Sequence, residues 1–408
     1  MGIPEALIEA GLPPLARAAW VEISLDAIAT NVKSLKARLP EGGHLDVVLK
    51  ANAYGLGAVQ IARAALAAGA RAVLVATFDE ALQLRRAGID APIRVLWRVP
   101  SEYLREAATF GIGVPATSPA VVTELLAADL RSLPSLSVDV ELDTGLGRDG
   151  ILPDELSEQL ERLRSASDRI AVRGIWSHLT AAEDPSRTRR QATMLDELTD
   201  RLADSAVGGL TLGLERHLVG SGGLLTIGST VQVARVGIAL FGVVPNALRS
   251  TTSTADVGLE SVYQLIARPV RVAMLPQGHG VGYGPHFVAS RESRIITLPI
   301  GYADGISYHD RDCAEVLVRG IRLPVVGTIA MDSITIDATD HPANDLGPHD
   351  DVVFIGRSGG EQIEPVDVAR RRETITNEVS TSFSSRLARV YTRGGRPVAV
   401  ATLIEASA

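Results

Sequence analysis

One lysine of this chain ends a short apolar run. In "DVVLKANAYGLG" (46–57), Asp46 to Leu49 read as a strand covered on both faces, Lys50 follows, and the chain then turns through glycines. A lysine there either reaches past the strand end into solvent or, if its amine is partly deprotonated by its surroundings, forms Schiff bases with aldehydes. Further strand ends carry Tyr54, Arg148 after "ELDTGLG", His178, Ser221 in "VGSGG" and Arg235 in "ARVG". Each has a plain reading. Tyr54 could cap a loop, Arg148 could pair with Asp143 or Asp149, His178 could be a satisfied core histidine, and "GSGG" could be a tight turn. The same glycines also offer bare N–H groups beside a hydroxyl, which suit a phosphate. A lysine nucleophile and a phosphate cradle together suit a phosphorylated aldehyde cofactor, pyridoxal 5′-phosphate. A phosphorylated sugar aldehyde, as barrel aldolases bind, is the competing ligand.

The tyrosines narrow the choice. The chain has seven, with aromatic residues only 4% of the total, and four stand in distinctive contexts: Tyr54 in "KANAYG", Tyr283 in "GVGYGPHF", Tyr302 in "LPIGYADG" and Tyr391 in "RLARVY". Tyr283, flanked by glycines, gains little from packing, so a working hydroxyl accounts for it better than a turn does.

These residues need a scaffold that gathers strand ends. Eight short apolar runs recur: "WVEISL" (20–25), "LDVVLKA" (45–51), "RAVLVAT" (71–77), "IRVLW" (93–97), "GIGVPAT" (111–117), "LSVDVELDT" (136–144), "AVRGIWSHL" (171–179) and "HLVGS" (217–221). Between them lie stretches with apolar residues at three- and four-residue spacing, such as "SLDAIATNVKSLKARL", "VVTELLAADLRSL" and "TRRQATMLDELTDRLADSA". Eight strands alternating with helices over about 240 residues predict an α/β chain built on a (β/α)8 TIM-type barrel, whose active site lies at the C-terminal strand ends. The polar stretch "STTSTADVGLES" (250–261) reads as a linker, and β-rich pieces separated by Gly, Pro and Asp follow it, a mostly antiparallel β domain. The expected domains are therefore a barrel over 12–248 and a β domain over 249–408, the latter joined by the N-terminal segment 1–18.

Composition bounds the partners. With 408 residues the chain is too long for one ordinary core. A net charge of -8 argues against nucleic acid or an anionic membrane surface. A single cysteine, Cys313, excludes a disulfide framework and a multi-cysteine metal site, and no metal is expected. The longest apolar stretch, "VQVARVGIALFGVVP", is interrupted by Arg235 and too short for a bilayer, so a cytoplasmic protein is expected.

"VVLKANAYGLG", "ELDTGLGRDG", "SHL", "ARVGIALFG", "VGYG", "LPIGYADG" and "AMDSITID", in this order, resemble the bacterial alanine racemases, fold-type III pyridoxal-phosphate enzymes. The likeness runs from "WVEISLDAIATN" to "RLARVY". It implies pyridoxal 5′-phosphate held by Lys50, which also serves as the base on one face of the substrate Cα. Tyr283 would be the opposite base, supplied by the partner of a head-to-tail homodimer with shared active sites. Tyr54, Ser221, Tyr391 and the backbone at Gly237 and Ile238 would bind the phosphate. Arg235 would face the pyridine nitrogen, His178 the ring, and Arg148 the phenolic oxygen and the substrate carboxylate. Met331 and Asp332 would complete substrate binding, and Tyr302 would narrow the access. An arginine at the ring nitrogen stays protonated and weakens the electron sink, which suits racemisation better than transamination.

The chain departs from the family pattern in places. Glu141 stands where a lysine, often carbamylated, usually precedes "DTG", and it could supply the same negative charge to Arg148. Gly220 replaces an asparagine, Ala330 a common cysteine, Thr328 an arginine and Leu56 a histidine, while Val236 and Phe241 replace a proline and a tyrosine. These changes touch the shell around the site and leave both bases in place. The resemblance therefore implies racemisation of alanine, with serine or a non-protein amino acid as an alternative substrate. A fold-type III decarboxylase would need a catalytic cysteine, and Cys313 lies outside any such context. A non-catalytic pyridoxal-phosphate-binding protein would lack the second domain.

Overall fold

The structure, a computed structural model, describes residues 2–203, 214–228, 232–284, 286–311 and 313–404. The end of the helical stretch expected over 188–206 lies outside them, as do positions 231 and 285 within the stretches quoted above.

Two compact units divide the chain: 27–53 with 58–260, and 1–26 with 54–57 and 261–408. The first is the barrel. Its strands are β2 (His44–Val48), β3 (Val73–Val75), β4 (Ile93–Val95), β5 (Ile112–Ala116), β6 (Leu136–Glu141), β7 (Ile170–Trp176), β8 (Glu215–His217) and β9 (Val233–Val236). Every neighbouring pair is parallel, β9 lies against β2, and a Val219–Ala234 bridge closes the ring. The strand β1 (Ala19–Ser24), counted above as the first barrel run, corrects that reading. It pairs antiparallel with β10 (Tyr263–Ala267) in the other unit's sheet, and β9 is the eighth barrel strand. In the sequence "VARV" lies inside the longer apolar stretch "VQVARVGIALFGVVP", which masks its strand character.

The sequence explains the elements around the barrel. β5 and β9 are buried along their whole length, as a strand covered on both faces must be. The helix Leu156–Arg164 buries Leu156, Leu160 and Leu163 on one stripe. The helix Pro119–Ala127 starts where Ser118 Oγ accepts the Val121 N–H, with proline in the first turn. Inside the barrel, alternate strands contribute charges: Asp46 from β2, Arg94 from β4, Asp139 from β6, and Glu215 and His217 from β8. Arg94 donates to Glu215 at 2.8 Å and lies 3.5 Å from Asp139, while Arg71 forks onto Asp46 at 2.9 and 2.7 Å.

In the second unit, β1 joins β10, β11 (Arg271–Leu275), β14 (Ser293–Leu298), β15 (Glu315–Val318), β16 (Ile321–Val326), β17 (Ile334–Asp337), β18 (Val352–Ser358), β19 (Glu361–Ile363), β20 (Ala388–Arg393) and β21 (Arg396–Ala401) in one sheet. The short strands β12 (Gly280–Val281) and β13 (Phe287–Val288) form a separate hairpin. All these pairings are antiparallel except β1 with β20. The linker stretch 250–261 contains a short helix, Thr254–Val257, started by Ser253.

Candidate active site

Lys50 follows β2, the strand whose last residues are locked by Leu49 N–H to Leu74 C=O at 2.7 Å. The next four residues, Ala51 to Tyr54, all take positive φ, between 52° and 56°, forming one left-handed turn without a glycine. Such a turn is costly for L-residues and needs outside support. Glu80 supplies part of it, accepting the Ala51 N–H at 2.5 Å and the Asn52 N–H at 3.4 Å with one oxygen. Its other oxygen accepts the N–H groups of Ala76 and Thr77, so the same carboxylate also starts the helix Phe78–Arg86. Asn52 Oδ1 accepts the Ala58 N–H at 2.8 Å. Glu80 escaped the sequence reading because its role depends on strand β3 delivering it to a distant backbone.

Around Lys50 the barrel collects Arg148, His178 and Arg235. Burial, with the charge of Arg148, lowers the Lys50 pKa against an opposing pull from Glu80. The His178 imidazole is pushed down to about 3 by burial and by Arg235, Arg148 and Lys50. It is therefore neutral at ordinary pH. Arg235 is buried, stacks over Trp176 at 4.5 Å, and donates through Nη2 to the carbonyls of Ser177 and Leu218. Among the described residues no carboxylate lies within 4 Å of it. Burial lowers its pKa to about 10, so it remains a cation at neutral pH.

Glu141, the last residue of β6, lies 3.7 Å from Arg148. Burial pushes its carboxyl up to about 7, with Asp149 adding to the rise. The loop that presents Arg148 is organised by Asp143, whose carboxylate accepts the N–H groups of Gly145, Leu146 and Gly147. Trp97, the last residue of the run "IRVLW", stands beyond β4 with its ring 5.2 Å from the Arg148 guanidinium, a placement the run does not reveal. At the end of β8, Ser221 Oγ receives the N–H groups of Gly237 and Ala239 at 3.1 and 3.2 Å, and Ile238 lies between them. Convergent donors of this kind are what a phosphate oxygen also satisfies.

The remaining expected residues lie in the second unit. Tyr391 donates to the Leu56 carbonyl at 3.1 Å, and a Cβ on Gly57 would come within 1.7 Å of its hydroxyl, so this close approach needs glycine. Burial pushes both Tyr54 and Tyr391 up to about 12, keeping both phenols protonated. Tyr283 sits at the tip of the β12–β13 hairpin with 76% of its surface exposed, and Thr328 donates to its carbonyl. Tyr302 and Met331 are brought together by backbone: Tyr302 N–H bonds Ala330 C=O at 3.0 Å and Ala303 N–H bonds Met331 C=O at 3.1 Å. Asp332 pairs with Arg386, which also lies 3.5 Å from the buried Asp304. Asp304 takes a fork from Arg17 at 3.1 and 2.7 Å and the Gly301 N–H at 3.0 Å. Arg17, Asp304 and Arg386 were not foreseen, since they are far apart in sequence. Among the described residues no cluster of His, Cys, Asp and Glu could hold a metal ion, and no helix is long and apolar enough to cross a membrane.

The strand ends of a parallel eight-stranded barrel thus gather a partly buried lysine, a buried arginine and backbone N–H groups converging on Ser221, in one chain with an antiparallel β unit. The chain belongs to the alanine racemase family: residues 23–245 match the model "Alanine racemase, N-terminal domain" and residues 262–391 "Alanine racemase, C-terminal domain". It is 35% identical to the alanine racemase of Symbiobacterium thermophilum over 379 residues, 92% of this chain and 97% of that protein. Among solved structures it resembles the Bacillus anthracis alanine racemase with bound L-Ala-P, at TM-score 0.86 and 32% identity, covering 97% of this chain and 100% of that one. The alanine racemase from D-cycloserine-producing Streptomyces lavendulae is similar too, at TM-score 0.83 and 33% identity over 93% and 98% of the two chains.

Proposed function

We propose that this protein interconverts L- and D-alanine with pyridoxal 5′-phosphate as cofactor and two bases, Lys50 and the partner subunit's Tyr283. The observation that carries the reading is the environment of Lys50. A lysine at a barrel strand end is depressed by burial and by Arg148 within a chain of this family. The side chains present fit the cofactor. Lys50 would hold its aldehyde carbon, Ser221 with the backbone of Gly237 and Ile238 its phosphate, His178 its ring and Arg235 its nitrogen. Tyr54 and Tyr391, protonated donors, are further phosphate ligands in this proposal.

When bound, the cofactor supplies an electron sink that acidifies the substrate Cα–H. The chain's own groups do the rest. Lys50 Nζ, its pKa lowered by burial and by Arg148, takes or returns the Cα proton on one face. The phenol oxygen of the partner subunit's Tyr283 does so on the other. Arg148 holds the substrate carboxylate, the partner subunit's Met331 helps bind it across the dimer with Asp332, and Tyr302 narrows the access. Arg235, still charged near neutral pH, would offer the ring nitrogen a donor that does not give up its proton. His178, neutral, adds no competing charge. The proposed assembly is a head-to-tail homodimer in the cytoplasm.

Proton exchange in deuterated water tests the reading. Purified protein with added pyridoxal phosphate is mixed with a panel of L-amino acids and followed by NMR and chiral chromatography. Alanine should gain deuterium at Cα and appear as the D-form. Inert alanine with exchanging serine or a larger amino acid would move the substrate, loss of carbon dioxide would make it a decarboxylase, and no reaction with any amino acid would overturn it.

A further inference from the structure

Arg148 stands out because its donors are unspent. Among the described residues its guanidinium makes no hydrogen bond, and its one ion pair, with Glu141 at 3.7 Å, is longer than a hydrogen bond. Yet its loop is fixed by the Asp143 carboxylate and by Gly150 N–H to Thr117 C=O at 3.1 Å. The contact that fixes the guanidinium itself is the face of Trp97, 5.2 Å away. An arginine stacked on an indole keeps its N–H edges free, because the contact uses the plane and leaves the fork.

Trp97 is placed to do this. It is 43% exposed, so its ring is not explained by core packing. Its backbone is held on one side by its own N–H to Ala76 C=O at 3.2 Å. On the other side Arg98 forks onto Glu124 at 2.9 and 2.8 Å. A ring on so fixed a base is a preorganised support, and Glu141 balances the charge from a second direction without consuming the fork.

We propose that Trp97 is a positioning residue: its ring face holds Arg148 in the plane from which the free N–H fork receives the carboxylate of the amino-acid substrate. This rests on the racemase reading given above. The test compares the wild type with Trp97→Leu, which removes the π face, and Trp97→Tyr, which restores one. Each cofactor-loaded enzyme is titrated with alanine and with ethylamine, which lacks the carboxylate, by the absorbance change of the bound cofactor, and KM and kcat are measured for alanine.

Losing an exposed cation–π contact should raise the Leu variant's Kd and KM for alanine about two- to fivefold, with kcat changed less. Ethylamine should bind both enzymes alike, and the Tyr variant should recover most of the loss. A merely structural role would weaken ethylamine as much as alanine. An unchanged alanine KM in the Leu variant, equal weakening of both ligands, or failure of Tyr to rescue overturns the proposal. A wild type that acts on no amino acid fails the racemase reading instead, and this proposal falls with it.

Discussion

Glu141 and His178 are two titratable groups whose surroundings move them in opposite senses, and each leaves its own mark on a pH profile. Burial raises Glu141 to about 7, so it ionises across the neutral range, and only its ionised form balances Arg148. The expected profile of kcat/KM for alanine rises through a group near 7, and in Glu141→Gln that limb flattens while KM rises severalfold, a modest effect because Arg148 is partly exposed. A limb that persists in the Gln variant would assign it elsewhere. His178 is held near 3 in the fold against 6.5 in the unfolded chain. The stability linked to its neutral form is complete above pH 6.5 and is lost as pH falls, by about 1.4 kcal/mol per pH unit. Urea unfolding of the wild type and His178→Phe between pH 7 and 4 should show slopes differing by about one proton. Parallel slopes would mean that His178 titrates normally.

The left-handed turn Ala51–Tyr54 is the element on which the position of Lys50 depends. Its non-glycine residues each cost about 1–2 kcal/mol relative to right-handed backbone. Glu80 offsets this by accepting the Ala51 and Asn52 N–H groups of the turn itself, and the Asn52 side chain ties the turn to the Ala58 N–H beyond it. Ala51→Gly should therefore be neutral or stabilising by up to about 1 kcal/mol, since relief at positive φ competes with the added freedom of the unfolded chain. Ala51→Val should destabilise by about 1–3 kcal/mol. Chemical unfolding midpoints read both, and equal tolerance of Gly and Val would contradict the left-handed backbone. The lysine stands out in the sequence because an apolar run ends at it, and His178 and Ser221 close runs of the same kind, whereas Arg148 lies in the loop beyond one and Arg235 interrupts a longer apolar stretch. The turn's support was not legible, because Glu80 acts from another strand–helix unit. Nor was Trp97, which looks from the sequence like the last residue of a buried run. The strand β1 was misplaced because its alternation fits either sheet. What decides is pairing with β10 and β20, partners more than 200 residues away in the chain.

At the scale of the whole molecule, the two proposed bases belong to different compact units, Lys50 to the barrel and Tyr283 to the unit containing the large sheet. An exposed tyrosine between glycines, on a hairpin whose residue 283 carbonyl is held by Thr328, leaves its ring and hydroxyl open to something outside the chain. The proposed head-to-tail dimer supplies that something, because each subunit then lends Tyr283 to its partner's Lys50. Complementation tests this directly. Lys50→Ala should lose the visible absorbance of lysine-bound cofactor, while Tyr283→Phe should keep it and lose racemisation, so either homodimer alone is inactive. In a mixed dimer one site holds both bases and the other holds neither. Random pairing on co-expression makes half of the dimers mixed, so recovered activity should reach about a quarter of wild type. If Lys50 and Tyr283 served one site within the same chain, no mixture of the two variants would regain activity. Sedimentation of the mixture separates that outcome from a failure to dimerise, which would contradict the shared site by another route.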